Sequence, residues 1–202
     1  YLSFLHEAVK VNPRVRVIGL TATPYRMTTG HLCGPDNILN EICFEVGIQP
    51  LIDAGFLCPL ISKNGEGRAD TSGLHKRGGE FIAAEAQELM NESLLVMRAC
   101  SDIIDKSADR NKTLIFCCGV EHAENVVNTL ADSYGVRAGI VTGDTPAAER
   151  AELIEQFKTG AMEYLVNVNV LTVGFDAPNI DCIVLLRPTC SAGLYYQMCG
   201  RG

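Results

Sequence analysis

Hydroxyl side chains and a glycine stand at points where apolar, strand-like runs of this sequence end. Thr21 and Thr23 follow one such run, and Thr142 and Gly143 follow another. In open α/β sheets, ligands bind at the edge where the strands end. A glycine lets a phosphodiester approach the backbone, and a helix N-terminus offers free amides to an anion. Both segments therefore predict phosphate chemistry, with a strand-terminating turn and an ordinary helix cap as the alternatives.

A hydroxyl, a glycine and a carboxylate fall within five positions after a third apolar run, at Thr172, Gly174 and Asp176. The carboxylate of Asp176 is suited to accept hydrogen bonds from ribose hydroxyls, and Thr172 is suited to donate to a backbone phosphate. The alternative is structural, with Asp176 forming a turn before Pro178. The residue types favour a nucleotide or nucleic-acid site at the end of this run.

An arginine flanked by glycines closes the sequence, where Arg201 follows a helix-like segment that contains Gln197. A guanidinium is planar and permanently charged, which suits bidentate binding of phosphate. In phosphoryl transfer such an arginine increases the rate by roughly 10³ to 10⁵. A lone Gly-Arg-Gly segment does not establish this chemistry, and it is the order of all four segments that indicates it.

The elements that must hold these residues alternate between strands and helices. Apolar runs of strand length with β-branched enrichment predict strands over residues 15–20, 113–118, 136–141, 164–170 and 182–186. Helical patterns lie between the later runs. In the helix that follows Gly143, Thr145 is predicted to cap the exposed amides and Pro146 to lie in the first turn. Runs that are apolar on both faces require a parallel sheet covered by helices on both sides. The fold class is therefore α/β.

The segment between the first run and the later ones has a different composition. Glycines fall among polar residues over 64–79, which predicts a loop or linker, and a helical stretch is expected over 81–105. The first run lies far upstream of the others and is assigned to a different sheet. We place a domain boundary between about residues 43 and 58.

Composition limits the class of protein. The formal net charge is −7 and the sequence pI is about 5.1, and no long block of basic residues marks a nucleic-acid arm. Nine cysteines without a CxxC pair predict reduced core thiols and no metal site. No run has the length of a membrane span, so an intracellular, cytoplasmic protein is expected. The sequence begins with Tyr1 rather than Met and ends directly after Arg201 and Gly202, which predicts a fragment of a longer protein.

The four segments, in this order and spacing, resemble motifs III, IV to IVa, V and VI of superfamily 2 helicases. The detail is most similar to RadD-type bacterial and phage DEAD/DEAH-like ATPases, and implies RecA-like domains of the P-loop NTPase type. The resemblance assigns 1–45 to the end of the first domain, 46–110 to a linker and variable segment, and 111–202 to the second domain.

Residue roles follow from the resemblance. It implies that ATP is coupled to domain closure by Thr21 and Thr23, and that the nucleic-acid backbone is contacted by Thr142, Gly143 and Thr172. The nucleotide cleft is implied to contain Gly174, Asp176, Gln197 and Arg201, with Arg201 reaching the γ-phosphate.

The sequence departs from the family in its missing first-domain motifs. It contains neither a GxxxxGK[ST] phosphate loop nor the acidic pair that holds magnesium, so ATP and Mg²⁺ are expected in the parent protein and no activity in the chain alone. DNA is favoured over RNA as the partner, and the oligomeric state is open. A catalytically inactive helicase-like interaction module is one alternative, and a Rossmann-like ligand-binding domain is another.

Overall fold

The computed structural model describes residues 2–26, 30–171, 177 and 179–201. The chain divides into two compact units between Leu57 and Cys58. The first unit contains helix α1 (Leu2–Val11), a short antiparallel pair formed by β1 (Tyr25–Arg26) and β2 (Gly30–His31), and helix α2 (Ile48–Asp53).

The strand predicted over residues 15–20 is wrong, because the structure gives no strand there. Ile18 and Leu20 are 85% and 95% exposed. A strand that is apolar on both faces needs neighbouring strands and covering helices. In the described part of the first unit, the pairing between strands is confined to the two-residue pair β1–β2, so this segment has no neighbouring strand among the described residues.

The second unit is built on four parallel strands. They are β5 (Thr113–Cys117), β6 (Ala138–Val141), β7 (Tyr164–Asn167) and β8 (Cys182–Leu186), in the spatial order β6-β7-β5-β8. The register pairs Ile115 of β5 with Val166 on one side and Val184 on the other. A short antiparallel hairpin, β3 (Lys76–Arg77) and β4 (Glu80–Phe81), precedes the sheet. The four strands predicted for this part of the sequence are confirmed.

Helices cover both faces of this sheet. Two separate cores show this. One joins α4 (Ser93–Ser107) and α5 (Val120–Tyr134) to the sheet, and the other joins α6 (Ala147–Thr159) and α7 (Ala192–Cys199) to its opposite face. The prediction of a parallel sheet with helices on both sides is therefore confirmed. Among the described residues, no helix has the length and apolar composition that a membrane crossing requires. A further helix of this unit, α3 (Ala83–Met90), precedes α4.

The helical stretch expected over 81–105 is interrupted. It begins as β4, continues as α3, and breaks at Asn91 and Glu92 before α4 starts. The break lets α4 bury Val96, Cys100 and Ile103 in the core shared with α5. α4 is thus an integral part of the second unit.

His122 gives the second unit an expected pH dependence. It is 1% exposed and its Nδ1 faces the backbone N–H of Cys118 at 3.4 Å. Burial lowers the pKa of His122 from 6.5 to about 4, so between these values the unfolded chain binds a proton that the folded chain does not. Stability is therefore full above pH 6.5 and falls as the pH drops towards 4.

We expect the free energy of unfolding to fall by roughly 2 kcal/mol between pH 7 and pH 5 through this histidine. Urea titrations of the chain at the two pH values measure it. His122→Asn keeps an acceptor near the Cys118 amide and removes the titration, so its free energy of unfolding should change little over this range. An equal fall in the variant would contradict the assignment.

Candidate functional site

The ends of the four parallel strands lie at one edge of the sheet, and most of the predicted site residues of the second unit follow those ends. Val141 pairs with Asn167 across β6 and β7, and the N–H of Val168 donates to the carbonyl of Val141 at 3.0 Å. The turns after β6 and β7 therefore leave the sheet side by side. In parallel sheets this edge is where ligands bind.

The turn after β6 is held by its own hydroxyls. The N–H of Thr142 donates to Oγ1 of Thr145 at 2.9 Å, and the N–H of Asp144 donates to Oγ1 of Thr142 at 3.2 Å. Gly143 is exposed, and among the described residues no atom beyond its two chain neighbours lies within 4 Å of the position its Cβ would take. The described part of the chain therefore leaves open space beside this backbone.

The prediction that Thr145 caps α6 is wrong. Its hydroxyl oxygen accepts from Thr142, and the residue that precedes α6 is Pro146, with no side-chain cap hydrogen bond. The hydroxyl stabilises the turn rather than the helix. The N-cap residue Pro146 therefore offers no side-chain hydrogen bond to the N-terminal amides of α6.

Arg150 braces the same turn and was not assigned a role from the sequence. Its Nη2 donates to the carbonyls of Thr142, Thr145 and Gly143 at 3.0, 3.2 and 3.3 Å. One guanidinium nitrogen thus lies within hydrogen-bond distance of three carbonyls of the turn. The sequence signal that could have found it is an arginine within the first turns of a helix that follows a glycine turn.

Asn167 shapes the turn after β7. It is fully buried, and its Oδ1 accepts from the N–H groups of Val170 and Leu171 at 2.9 and 2.8 Å. Asn169 adopts a positive φ of 60°, and its Oδ1 accepts a hydrogen bond from Arg187 beyond β8. The predicted residues Thr172, Gly174 and Asp176 follow directly and lie outside the described residues.

Helix α7 carries the last two predicted residues. Ser191 caps it, since its Oγ accepts from the N–H of Leu194 at 3.2 Å, and Met198 is fully buried in the core against the sheet. Gln197 and Arg201 are each half-buried. The N–H of Arg201 donates to the carbonyl of Met198 at 3.2 Å, so Arg201 is tied to an anchored helix end.

Thr21 and Thr23 lie in the first unit and contact each other. Oγ1 of Thr21 accepts from the N–H of Thr23 at 3.0 Å and donates to its carbonyl at 3.2 Å. The hydroxyl of Thr21 thus fixes a local turn. The described residues contain no cluster of three or more His, Cys, Asp or Glu side chains able to hold a metal ion.

The chain belongs to the family of the helicase conserved C-terminal domain, which matches residues 95–202. This confirms the resemblance to superfamily 2 helicases. The chain is 32% identical, over 97% of its length, to the putative ATP-dependent helicase IRC3 of Saccharomyces cerevisiae. It is 34% identical, over its whole length, to the putative mitochondrial ATP-dependent helicase irc3 of Schizosaccharomyces pombe.

The chain spans 28% and 33% of the lengths of these two relatives. Among solved structures, Dbp5 of S. cerevisiae bound to RNA and ADP BeF3 superposes with a TM-score of 0.48 and 23% identity. That superposition covers 55% of this chain and 29% of the Dbp5 chain.

Proposed function

We propose that this chain forms part of an ATP-dependent helicase or translocase that moves along single-stranded nucleic acid. Residues 1–45 would end its first RecA-like domain, 46–110 would enter the second, and 111–202 would form the second. The observation that carries the proposal is the helicase C-terminal match over residues 95–202. In such a motor, ATP closes the two domains and hydrolysis reopens them, so that the grip on the strand advances.

The turn after β6 is the proposed grip on the nucleic-acid backbone. Gly143 is exposed, and the described residues leave open space where a Cβ would lie, so a phosphodiester has room to approach this backbone. Thr142 adds a hydroxyl at the same turn, and Arg150 holds the turn's carbonyls. With a net charge of −7 over the chain, contact with an anionic polymer must be local, and Thr172 would extend it.

The nucleotide would be contacted by the turn after β7 and by the end of α7. The anchored, half-buried Arg201 supports a charged donor that reaches the phosphates of ATP, with Gln197, Gly174 and Asp176 lining the cleft. Thr21 and Thr23 would couple the nucleotide to domain closure. ATP supplies the free energy, and Mg²⁺ would be held by residues of the first domain that this sequence lacks.

Hydrolysis of ATP by the complete gene product, with and without single-stranded DNA or RNA, tests this proposal. We expect stimulation by nucleic acid, larger with DNA, because the motif details resemble RadD-type enzymes. The 202-residue chain alone should show no turnover, since it has no phosphate loop or acidic pair. Absence of hydrolysis by the complete protein would favour a catalytically inactive interaction module. The expected cytoplasmic location stays a prediction, since one similar yeast protein carries a mitochondrial name.

Arg150→Ala is expected to weaken binding of single-stranded nucleic acid by the complete protein about tenfold, because the 142–145 turn loses three hydrogen bonds from one side chain. Fluorescence anisotropy with a labelled oligonucleotide at fixed salt measures the affinity. Arg137→Ala removes the same charge from an exposed position and should leave the affinity nearly unchanged. Equal losses in both variants would mean that only net charge matters.

A further inference from the structure

The β3–β4 hairpin reaches the loop that joins β8 to α7. Oε1 of Glu80 accepts from the N–H of Cys190 at 2.8 Å, and Oε2 accepts from the hydroxyl of Thr189. These partners are 109 and 110 positions away along the chain. One carboxylate thus fastens the segment before α3 to the segment before α7.

Glu80 is held in its ionised form. Its partial burial opposes ionisation, but the hydrogen bonds from Thr189, Cys190 and Phe81 together with the charge of Arg187 outweigh it, and the pKa of Glu80 lies below its ordinary value. Hydrogen bonds to a charged acceptor are stronger than neutral ones. The contact is therefore a charged tether at neutral pH.

The tether continues into α7 through two further hydrogen bonds. Oγ1 of Thr189 accepts from the N–H of Ser191 at 3.0 Å, and Oγ of Ser191 accepts from the N–H of Leu194 at 3.2 Å. Ser191 is the N-cap of α7, so the chain of contacts from Glu80 ends on the first turn of that helix. α7 then carries Gln197 and leads into Arg201.

We propose that Glu80 is a positioning residue for Arg201, acting through Thr189, Ser191 and the start of α7. This inference rests on the proposed function. α7 has only eight residues, and its first turn is fixed by the tether while Met198 is fixed by the core. If the tether to the first turn of α7 is lost, the helix can shift about Met198. A displacement of about 1 Å at a catalytic group is enough to slow a reaction strongly.

Glu80→Ala in the complete gene product tests the proposal, with Glu88→Ala as its control. Glu88 is an exposed residue of α3. We expect Glu80→Ala to lower kcat for nucleic-acid-stimulated ATP hydrolysis about tenfold with KM for ATP little changed, because an arginine that acts in the transition state affects kcat. Glu80→Gln, which keeps an acceptor for Cys190, should recover part of the loss, and Glu88→Ala should behave like the wild type.

The same variant in an Arg201→Ala background separates positioning from a general loss of structure. If Glu80 acts through Arg201, Glu80→Ala should add no further loss of kcat there. An additional tenfold loss in that background, or a wild-type kcat in the single variant, would overturn the proposal.

Hydrogen exchange separates failure of this inference from failure of the proposed function. Amides of Ser191 and Leu194 should exchange faster in Glu80→Ala than in Glu88→Ala or the wild type. If the wild type has no ATPase but exchange rises as expected, the tether stands and the motor does not. If the wild type is an active ATPase and neither exchange nor kcat responds, the positioning role is wrong and the motor stands.

Discussion

Arg201→Ala is expected to reduce nucleic-acid-stimulated ATP hydrolysis by the complete protein by roughly 10³-fold, the lower end of what an arginine finger contributes. Charge that develops on the transferred phosphoryl group is stabilised by a fixed guanidinium, and alanine leaves no donor in its place. The backbone of Arg201 is held by the hydrogen bond from its N–H to the carbonyl of Met198, a residue buried in the core, and this supports a defined position for the guanidinium. Steady-state kinetics at saturating ATP and nucleic acid measure the effect.

Two comparisons sharpen this experiment. Arg201→Lys keeps the charge but loses the planar, forked donor set, so it should recover only a small part of the rate. Arg98→Ala removes an exposed arginine from α4 and should leave the rate unchanged. If kcat of Arg201→Ala lies within a few-fold of the wild-type value, Arg201 does not act at the nucleotide site.

Phe157→Ala is expected to destabilise the chain by roughly 3–5 kcal/mol, as for other buried aromatic truncations. Phe157 is the only residue of α6 that is completely buried, and it packs in the core formed with Leu114, Phe116 and Leu165. The other contacts of α6 come from partly exposed side chains. Its loss therefore leaves a cavity and weakens the attachment of the helix that begins at the proposed nucleic-acid grip.

Urea denaturation of the chain at pH 7 measures this loss. Tyr134→Ala truncates an aromatic residue that is 39% exposed at the end of α5, and it should cost less than about 1 kcal/mol. Similar losses for the two variants would show that α6 is not anchored through Phe157.

Much of the second unit could be predicted from the sequence because its strands are apolar on both faces. Residues 113–117 are buried throughout, and such runs, separated by amphipathic helices, allow few folds besides a covered parallel sheet. The same pattern failed over residues 15–20, because periodicity reports what a segment is able to bury and not what is there to cover it. The apolar pattern is local, whereas burial depends on the rest of the sheet.

The supporting side chains of the site could not be predicted for a related reason. Glu80 meets Thr189 and Arg187 meets Asn169 across long separations in sequence, and neither pair leaves a local pattern. Thr145 has the residue type of a helix cap, but its hydroxyl is used by Thr142. The motif residues were assigned from their order in the sequence and stay predictions, while the contacts that hold their neighbours depend on the folded chain.

Coupling between nucleotide state and grip is the central property of the proposed motor, and it is measurable directly. Fluorescence anisotropy gives the affinity of the complete protein for a single-stranded oligonucleotide without nucleotide, with ADP and with a non-hydrolysable ATP analogue. We expect affinities that differ by at least about fivefold between the ATP-like state and the ADP state, the lower end of allosteric coupling. Equal affinities in all three states would contradict it, because a ligand without differential affinity cannot drive a conformational cycle.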